Sequence, residues 1–225
     1  MSEAVKSMFG RIAPRYDLLN RVLSGGRDVA WRRRAVDLLR PGPHRVLDLA
    51  CGTYDLALTA VERGRASQVH GCDFCVPMLV AGEGKRVRQP VTAAAGDALH
   101  LPYADGSFDA AMVAYGWRNF GDPHASLREL RRVLRPGGQL LILEFLRPVS
   151  WWPKTFYGTF GRFVFPTVGG VLAGDSAAYR YLKESIQGFL TPEAARIAVS
   201  QAGFARQQWV SFFGGISHAI CADTE

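Results

Sequence analysis

The sequence predicts an α/β protein built on a mostly parallel sheet of seven strands, with helices on both faces. Three observations support this prediction: short apolar segments alternate with helical segments from residue 45 to residue 145, the first apolar segment runs into a turn of small residues, and two further strand-like segments close the chain. Strands that alternate with helices form parallel sheets through right-handed crossovers. Such sheets bind their ligands at the carboxyl ends of the strands.

The first elements follow from local patterns along the chain. Residues 1–40 are predicted to form a helical arm, because the helical pattern is interrupted only at Pro14 and at residues 24–26. Residues 44–146 are predicted to form the core, in which turn residues bound each apolar segment. The predicted strands are 45–50, 68–72, 91–94, 108–114 and 139–145, and the helices between them are 55–63, 77–86 and 123–134.

The remaining elements complete one predicted domain of residues 1–225. Residues 147–190 are predicted to form a lid and substrate-binding segment. Within it, the stretch 151–174 is rich in Phe, Trp, Gly and Pro and is predicted to be an inserted aromatic lid, and a helix is predicted at 176–189. Residues 191–225 contain a helix at 192–201 and antiparallel strands near 206–213 and 218–221. A hydrophobic content of 48% excludes the disordered and collagen-like classes.

The net charge is basic and unevenly distributed. The chain has 27 Lys and Arg residues against 20 Asp and Glu residues, a formal net charge of +7. This charge favours an anionic membrane or an acidic substrate, with solvated helix faces as the alternative. Nucleic acid is not predicted, because no aromatic RNA-binding motif accompanies the arginines. The arginines form two clusters, Arg11, Arg15, Arg21, Arg27, Arg32, Arg33 and Arg34, then Arg128, Arg131, Arg132 and Arg135.

The expected location is cytoplasmic, with peripheral contact at the inner face of the membrane. The N-terminus lacks the basic start and apolar run of a secretory signal. No apolar stretch approaches the roughly 20 residues of a spanning helix.

A nucleoside cofactor is predicted from residues that follow the first three strands. The turn at residues 48–55 contains Gly52, where the backbone can approach a ligand at the start of a helix. Asp73 follows the second strand, 21 positions after Gly52, where a carboxylate can accept hydrogen bonds from ribose hydroxyls. Asp97 follows the third strand and suits the adenine edge, with a capping or turn role as its alternative.

Longer motifs in the chain resemble those of a known enzyme family. The motifs are residues 12–20 (IAPRYDLLN), 31–32 (WR), 96–98 (GDA), 116–119 (GWRN), 132–138 (RVLRPGG), 143–145 (LEF) and 178–186 (AYRYLKESI). In these motifs the chain resembles the class I S-adenosylmethionine-dependent methyltransferases, and among them the ubiquinone/menaquinone-biosynthesis C-methyltransferases. The resemblance covers nearly the whole chain and implies a Rossmann-like fold.

The resemblance implies an activity and a set of site residues. The expected cofactor is S-adenosylmethionine, and the expected substrate is a polyprenylated quinol, in particular demethylmenaquinol. Two alternatives stay open: methylation of another hydroxylated aromatic, and a non-catalytic homologue that scaffolds quinone synthesis. A homodimer is a further expectation. The resemblance assigns Arg118 and Asn119 to catalysis. The residues that it assigns to cofactor binding are Asp48, Gly52, Thr53, Asp73, Phe74, Asp97, Ala98 and Tyr115.

Two features depart from simple expectations. Tyr54 stands where the family has glycine, so its ring is predicted near the methionine end of the cofactor, where it would swing away, stack on the ligand or obstruct the site. Cys72 and Cys75, with Cys51 nearby, raise the alternatives of a metal site and a regulatory disulfide. Packed, unreactive thiols are the expectation, and no metal is predicted.

Overall fold

Seven strands form one sheet in the computed structural model, which describes residues 3–42, 44–149 and 176–225. The order across the sheet is β3-β2-β1-β4-β5-β7-β6, and β7 runs antiparallel to both of its neighbours. The predicted seven-stranded, mostly parallel sheet and its closing antiparallel strands are therefore confirmed. The strands are β1 (Arg45–Leu49), β2 (Gln68–Asp73), β3 (Val91–Ala95), β4 (Phe108–Ala114), β5 (Leu134–Glu144), β6 (Phe204–Phe212) and β7 (Ser217–Thr224).

Helices cover both faces of the sheet because consecutive residues of its central strands are apolar. Leu140 of β5 packs into one core cluster and Leu141 into the other, as the two-residue period of a strand requires. One cluster includes α3, α4 and α5, and the other includes α6 and α8. The described helices are α1 (Glu3–Ile12), α2 (Tyr16–Leu23), α3 (Arg27–Val36), α4 (Asp55–Glu62), α5 (Val76–Arg86), α6 (Pro123–Val133), α7 (Ser176–Gly188) and α8 (Pro192–Gln201).

Strand β5 begins earlier than the sequence predicts. Leu134 pairs with Phe108, and the register then shifts so that Gln139 pairs with Ala110. Residues 135–138, predicted as a turn before the strand, therefore bulge from within it. Gly137 has a φ of 72°, a conformation that glycine adopts without the strain of a side chain.

The N-terminal arm is helical, with breaks where the sequence predicts them. A 3-10 turn at Ala13–Arg15 contains Pro14 and separates α1 from α2. Gly25 and Gly26 have φ values of 60° and 77° between α2 and α3. None of the helices in the described ranges is both long and apolar enough to cross a bilayer. The predicted lid at 151–174 lies outside the described residues.

Candidate cofactor and substrate site

The predicted cofactor residues lie at the edge of the sheet where β1, β2 and β3 end. The strand order reverses beside β1, since β2 lies on one side of it and β4 on the other, and such a reversal opens a crevice at the carboxyl ends. The turn after β1 is tight: Ala50, Gly52 and Tyr54 have φ values of 55°, 54° and 68°. A Cβ on Gly52 would lie 3.3 Å from Cε of Met78, so glycine permits the close approach.

Asp73 connects this turn to the start of α5. Its two carboxylate oxygens accept hydrogen bonds from the amides of Gly52 at 2.8 Å and Cys75 at 2.7 Å. Burial raises the pKa of Asp73, and the two amide hydrogen bonds oppose that rise. Each oxygen has a second lone pair, so the carboxylate can still accept a ligand hydroxyl.

Asp48 is a buried carboxyl group without a partner. It is 1% exposed, and neither of its oxygens has a hydrogen-bond partner within the part of the chain that the structure describes. Burial raises the pKa of Asp48 to about 8; the nearby backbone amide of Ala57 opposes the rise, and the neighbouring charge of Asp73 adds to it. An unsatisfied buried carboxyl is costly, so it marks a position where a ligand can supply the missing donor.

The N-terminal arm covers two of the predicted cofactor residues. The hydroxyl of Thr53 donates to Oδ1 of Asp17 in α2 at 2.6 Å, and Nζ of Lys85 in α5 lies 2.5 Å from Oδ2 of the same aspartate. Nζ of Lys6 lies 4.6 Å from the ring centroid of Phe74. Thr53 and Phe74 thus lie at the cofactor edge with the arm against them.

Asp97 and Ala98 lie at the end of β3 and differ in their surroundings. Oδ1 of Asp97 accepts a hydrogen bond from the amide of Leu99 at 3.1 Å, which is the turn role that the sequence left as an alternative. Asp97 is partly exposed, with Oδ2 3.6 Å from Nδ1 of His100. Ala98 is buried in the core. Gly96, just before them, donates to the carbonyl of Asp73, which holds this loop beside β2.

Arg118 and Asn119 follow β4 in a 3-10 turn, Trp117–Asn119. Nη1 of Arg118 lies 2.6 Å from Oε1 of Glu144 and also donates to the carbonyl of Tyr115. Oδ1 of Asn119 accepts a hydrogen bond from the hydroxyl of Tyr181 in α7 at 2.8 Å. Arg118 is therefore a fixed cation beside the cavity described next, whereas Asn119 connects this turn to α7.

A mostly apolar cavity of about 260 Å³ lies between the arm, the turn after β4, α7 and the β6–β7 turn. Two buried donors in its wall have no hydrogen-bond partner among the described residues: Nε of Arg118 and Nδ2 of Asn20. Burial raises the pKa of the Tyr16 phenol, and the neighbouring Asn20 amide and the positive charges of Arg32 and Arg118 oppose that rise. The apolar wall includes Met8, Phe9, Ile12, Leu19, Val22, Leu23, Trp31, Phe145, Leu182, Ile186, Phe213 and Ile216.

A second buried charge pair lies in the same wall. Nη1 of Arg32 lies 2.6 Å from Oδ2 of Asp28, and Oδ1 of that aspartate accepts a hydrogen bond from the hydroxyl of Ser24 at 2.9 Å. Both side chains of the pair are less than one tenth exposed. Tyr115, predicted as a cofactor residue, also lines this cavity and stacks on Phe145 with ring centroids 4.5 Å apart.

Sequence reasoning gave no site role to several residues that the structure brings to this cavity. The motifs that carry the resemblance include Tyr16, Asn20, Arg32 and Glu144, but none of these residues was given a function in the site. Arg32 was also counted in the first cluster of arginines. Two signals were available: Asp28 and Arg32 are spaced i, i+4 in a helix, and Glu144 ends an apolar strand. The first signal predicts the pair that forms, whereas the second does not identify a partner, because Glu144 lies 26 residues from Arg118.

Tyr54 neither obstructs the site nor stacks on a ligand there. Its side chain is fully buried beneath α5, and its hydroxyl donates to the carbonyl of Leu79 at 3.1 Å. Burial raises the pKa of Tyr54 to about 12. The ring fits because Gly71 and Gly82 lie against it: a Cβ on Gly82 would lie 2.8 Å from the ring.

The four cysteines are buried free thiols. Burial raises the pKa values of Cys72 and Cys221 to about 12, which keeps these groups protonated and unreactive. Packed thiols, the expectation from the sequence, are confirmed, and no disulfide joins the four cysteines in this structure. No group of three or more metal-ligating side chains occurs within residues 3–42, 44–149 and 176–225.

Comparison with known proteins agrees with this geometry. Residues 1–222 match the model of the ubiE/COQ5 methyltransferase family. The chain is 48% identical to a demethylmenaquinone methyltransferase from Thermus thermophilus, over 92% of this chain and 96% of the relative. It is 42% identical to a demethylmenaquinone methyltransferase from Deinococcus radiodurans, over 94% and 89% of the two chains.

A solved structure supports the fold. The crystal structure of an S-adenosylmethionine-dependent methyltransferase from Thermotoga maritima superposes with a TM-score of 0.70, at 19% identity, over 97% of this chain and 99% of the other. The Rossmann-like methyltransferase fold implied by the motifs is therefore confirmed. With a family model that matches nearly the whole chain and relatives that match it over most of their length, this protein belongs to the ubiE/COQ5 methyltransferase family and is an S-adenosylmethionine-dependent methyltransferase.

Proposed function

We propose that the enzyme methylates a ring carbon of demethylmenaquinol to give menaquinol. The two relatives described above are both named for the menaquinone reaction. The structural observation that carries the proposal is the pair of unpartnered buried donors, Nε of Arg118 and Nδ2 of Asn20, in the wall of an apolar cavity. A quinol combines an apolar ring with oxygen atoms that accept hydrogen bonds, so its chemistry matches this wall.

The residues at the strand ends suit the cofactor. The unpartnered carboxyl of Asp48 suits a cationic amino group, and the free lone pairs of Asp73 suit the ribose hydroxyls. Phe74, Asp97 and Ala98 surround the place proposed for the adenine, and Gly52 and Thr53 supply the turn before α4. When bound, S-adenosylmethionine supplies an electrophilic methyl group on a positively charged sulfur.

The remaining chemistry belongs to the substrate and to Arg118. Loss of the hydroxyl proton to water places negative charge on the quinol oxygen and on the ring carbon, which would take the methyl group as its bond to sulfur breaks. That carbon then loses its hydrogen as a proton to water, which restores the aromatic ring. Arg118 stabilises the developing negative charge, and the ion pair with Glu144 fixes its guanidinium before the reaction begins. A permanently charged guanidinium is a poor base, so its role is electrostatic.

Asn119 acts as a positioning residue in this proposal. Its side-chain oxygen is bonded to Tyr181, so it orients α7 against the turn that carries Arg118. The second polar part of the wall, Arg32 with Asp28, suits the other hydroxyl of a 1,4-dihydroxy ring. The apolar side chains between the two polar parts exclude water from the ring.

The substrate carries a polyprenyl tail, and such a tail resides in a membrane. The proposal therefore includes peripheral contact with an anionic bilayer, supported by the basic charge of the chain. A cytoplasmic location and a homodimer stay predictions from the sequence and its resemblance.

The test is a reaction of the purified protein with reduced demethylmenaquinone and S-adenosylmethionine that carries a labelled methyl group. We expect a labelled product heavier by one methyl group, with the label on a ring carbon. The oxidised quinone is the matched control and should not react, since it has no hydroxyl to ionise. A label on oxygen, or equal reaction with an untailed hydroxylated aromatic, would favour the second class of substrate. Absence of turnover with intact cofactor binding would favour a scaffold.

A further inference from the structure

The substrate cavity opens between two turns on one side of the molecule. Four residues line the cavity and are also exposed: Val22 and Gly25 at the α2–α3 turn, Arg27 at the start of α3, and Phe213 in the β6–β7 turn. Val22 is 37% exposed and Phe213 is 39% exposed. A ligand that extends out of the cavity would leave it between these residues.

The outer face of α2 continues this apolar opening. Leu19 and Tyr16 face the protein, whereas Leu18, 50% exposed, lies one turn before Val22 on the outer side. Single exposed apolar residues are common on soluble proteins. Here three of the eight exposed large apolar residues in the described ranges, Leu18, Val22 and Phe213, belong to the opening of one cavity or to the helix that borders it.

Basic side chains surround this opening. Arg15 and Arg21 are exposed, three residues before and three residues after Leu18. Arg27 lies over the ring of Phe213, with its Cζ atom 4.8 Å from the ring centroid. Two carboxylates lie on the same elements and have partners: Asp17 lies against Lys85, and Asp28 is buried between Arg32 and Arg21, whose Nη1 lies 3.8 Å from Oδ1 of Asp28. The aspartate shared by two arginines and the lysine-bound Asp17 leave Arg15 and Arg27 as further cations at the opening. The exposed charge around the opening is therefore positive, while its centre is apolar.

We propose that this mouth surface, formed by Leu18, Val22 and Phe213 with Arg15, Arg21 and Arg27, docks on an anionic phospholipid bilayer. The apolar side chains enter the interfacial region and the arginines meet lipid phosphates. The mouth of the cavity then faces the lipid, so a quinol head group enters the protein while its tail stays in the membrane. This inference rests on the proposed function, because the tailed quinol requires such a path.

Binding to vesicles tests the docking surface without any substrate. The full-length protein is floated with vesicles of phosphatidylglycerol and phosphatidylcholine, and with vesicles of phosphatidylcholine alone. The variant Leu18→Asp with Arg21→Gln changes the mouth surface outside the cavity wall. Its matched control is Ile197→Asp with Arg128→Gln, which changes the net charge equally on the α6–α8 face, and Ile197 is 48% exposed.

We expect the mouth variant to lose at least tenfold in partitioning onto anionic vesicles and the control pair to stay within twofold of wild type. High salt should weaken wild-type binding, because it screens the arginines. Equal losses in both variants, or unchanged binding of the mouth variant, would overturn the proposal. Matched thermal unfolding of the two variants confirms that each is folded.

Measurements of turnover show whether a negative result contradicts the docking surface or the proposed function. An untailed demethylnaphthoquinol is offered in solution, and the tailed quinol is offered in vesicles. The mouth variant should keep wild-type turnover of the untailed quinol and lose roughly tenfold with the tailed quinol. Wild-type protein that binds anionic vesicles but methylates neither quinol would contradict the proposed function and leave the docking surface standing. Normal turnover of the tailed quinol by a variant that no longer floats would contradict the docking role.

Discussion

At the scale of single residues, the most informative feature is that Asp48 is buried without a hydrogen-bond partner among the described residues. Its pKa of about 8 means that the carboxyl is mostly protonated in the free protein at neutral pH. An unfolded aspartate titrates near about 4, so between about pH 4 and pH 8 the folded state binds a proton that the unfolded state lacks. This group therefore lowers the stability of the free protein as pH rises through that window.

The same carboxyl predicts a pH dependence for cofactor binding. A cationic amino group favours the ionised carboxylate, so binding below pH 8 must release a proton. We expect the affinity for S-adenosylhomocysteine, measured by calorimetry, to rise by up to about tenfold per pH unit from pH 6 to pH 8 and then to level off. Asp48→Asn should bind more weakly and lose this dependence. A wild-type affinity that does not change over this range would exclude contact between Asp48 and the amino group.

Arg118 predicts an effect on catalysis that is separate from cofactor binding. Arg118→Leu would leave Glu144 buried without its cation, at a cost of about 3–5 kcal/mol, so Arg118→Lys is the better test. Lysine keeps the charge and removes the unpartnered Nε donor. We expect kcat with the reduced quinol to fall by about 10²–10³ while the cofactor Kd stays within about twofold.

The matched control for this change is Arg132→Lys. Arg132 also pairs with carboxylates, Glu129 and Asp105, but it lies outside the cavity wall. Its kcat should stay close to the wild-type value. Near-normal turnover of a folded Arg118→Lys variant would show that catalysis does not need the Nε donor. Loss of stability together with loss of cofactor affinity would show that the arginine only holds the loop.

Tyr54 predicts an effect on stability instead of activity. Tyr54→Gly relieves a positive φ but removes a fully buried ring, so it should lower the free energy of unfolding by about 3–5 kcal/mol. Tyr54→Phe removes only the hydrogen bond to Leu79, at about 1 kcal/mol. Urea unfolding measures both changes. A loss of cofactor affinity in folded Tyr54→Phe protein would contradict the assignment of this ring to the core.

At the scale of elements, the arm is joined to the core by a short charge network over the cofactor edge. Lys85 of α5 lies 2.5 Å from Asp17 of α2 and 2.6 Å from Asp55 of α4. The hydroxyl of Thr53 donates to the same Asp17. A partly exposed ion pair of this kind stabilises the closed arm by about 1 kcal/mol or less, so the pair can break during each turnover.

This network predicts the rate of cofactor release. Asp17→Asn should speed dissociation of S-adenosylhomocysteine about threefold to fivefold, because one contact that holds the arm closed is weakened. Stopped-flow fluorescence measures the rate. The control is Glu62→Gln, which removes a surface ion pair with Arg33 at 3.0 Å between α3 and α4. Equal release rates in Asp17→Asn and wild-type protein would mean that the arm does not limit exit of the cofactor.

At the scale of the whole molecule, the sheet brings together chemistry that is distant in sequence. Asp48, Asp73, Asp97 and Arg118 belong to different strand ends, and the order β3-β2-β1-β4 places those ends side by side. Parallel strands leave all their carboxyl ends on one edge, so a site built from them needs no contact between neighbours in sequence. The arm and α7 then enclose the adjacent cavity.

The sequence by itself determined the elements and the edge that carries the site. Two-residue and helical periodicities are local properties, so they identified the seven strands and placed Gly52 and Asp73 at neighbouring strand ends. Turn residues such as Pro14 and Gly26 marked the breaks in the arm for the same reason, because backbone preferences act within a few residues. The family motifs added the cofactor and the reaction, which no periodicity contains.

Only the tertiary structure decided which side chains meet. Tyr54 enters the core because Gly71 and Gly82, on other elements, leave room for its ring. Glu144 lies 26 residues from Arg118, and Asp17 lies 36 residues from Thr53. Partners at such separations are selected by packing and by the cost of leaving a buried charge or donor unpaired, and that selection is made only when the distant elements come together.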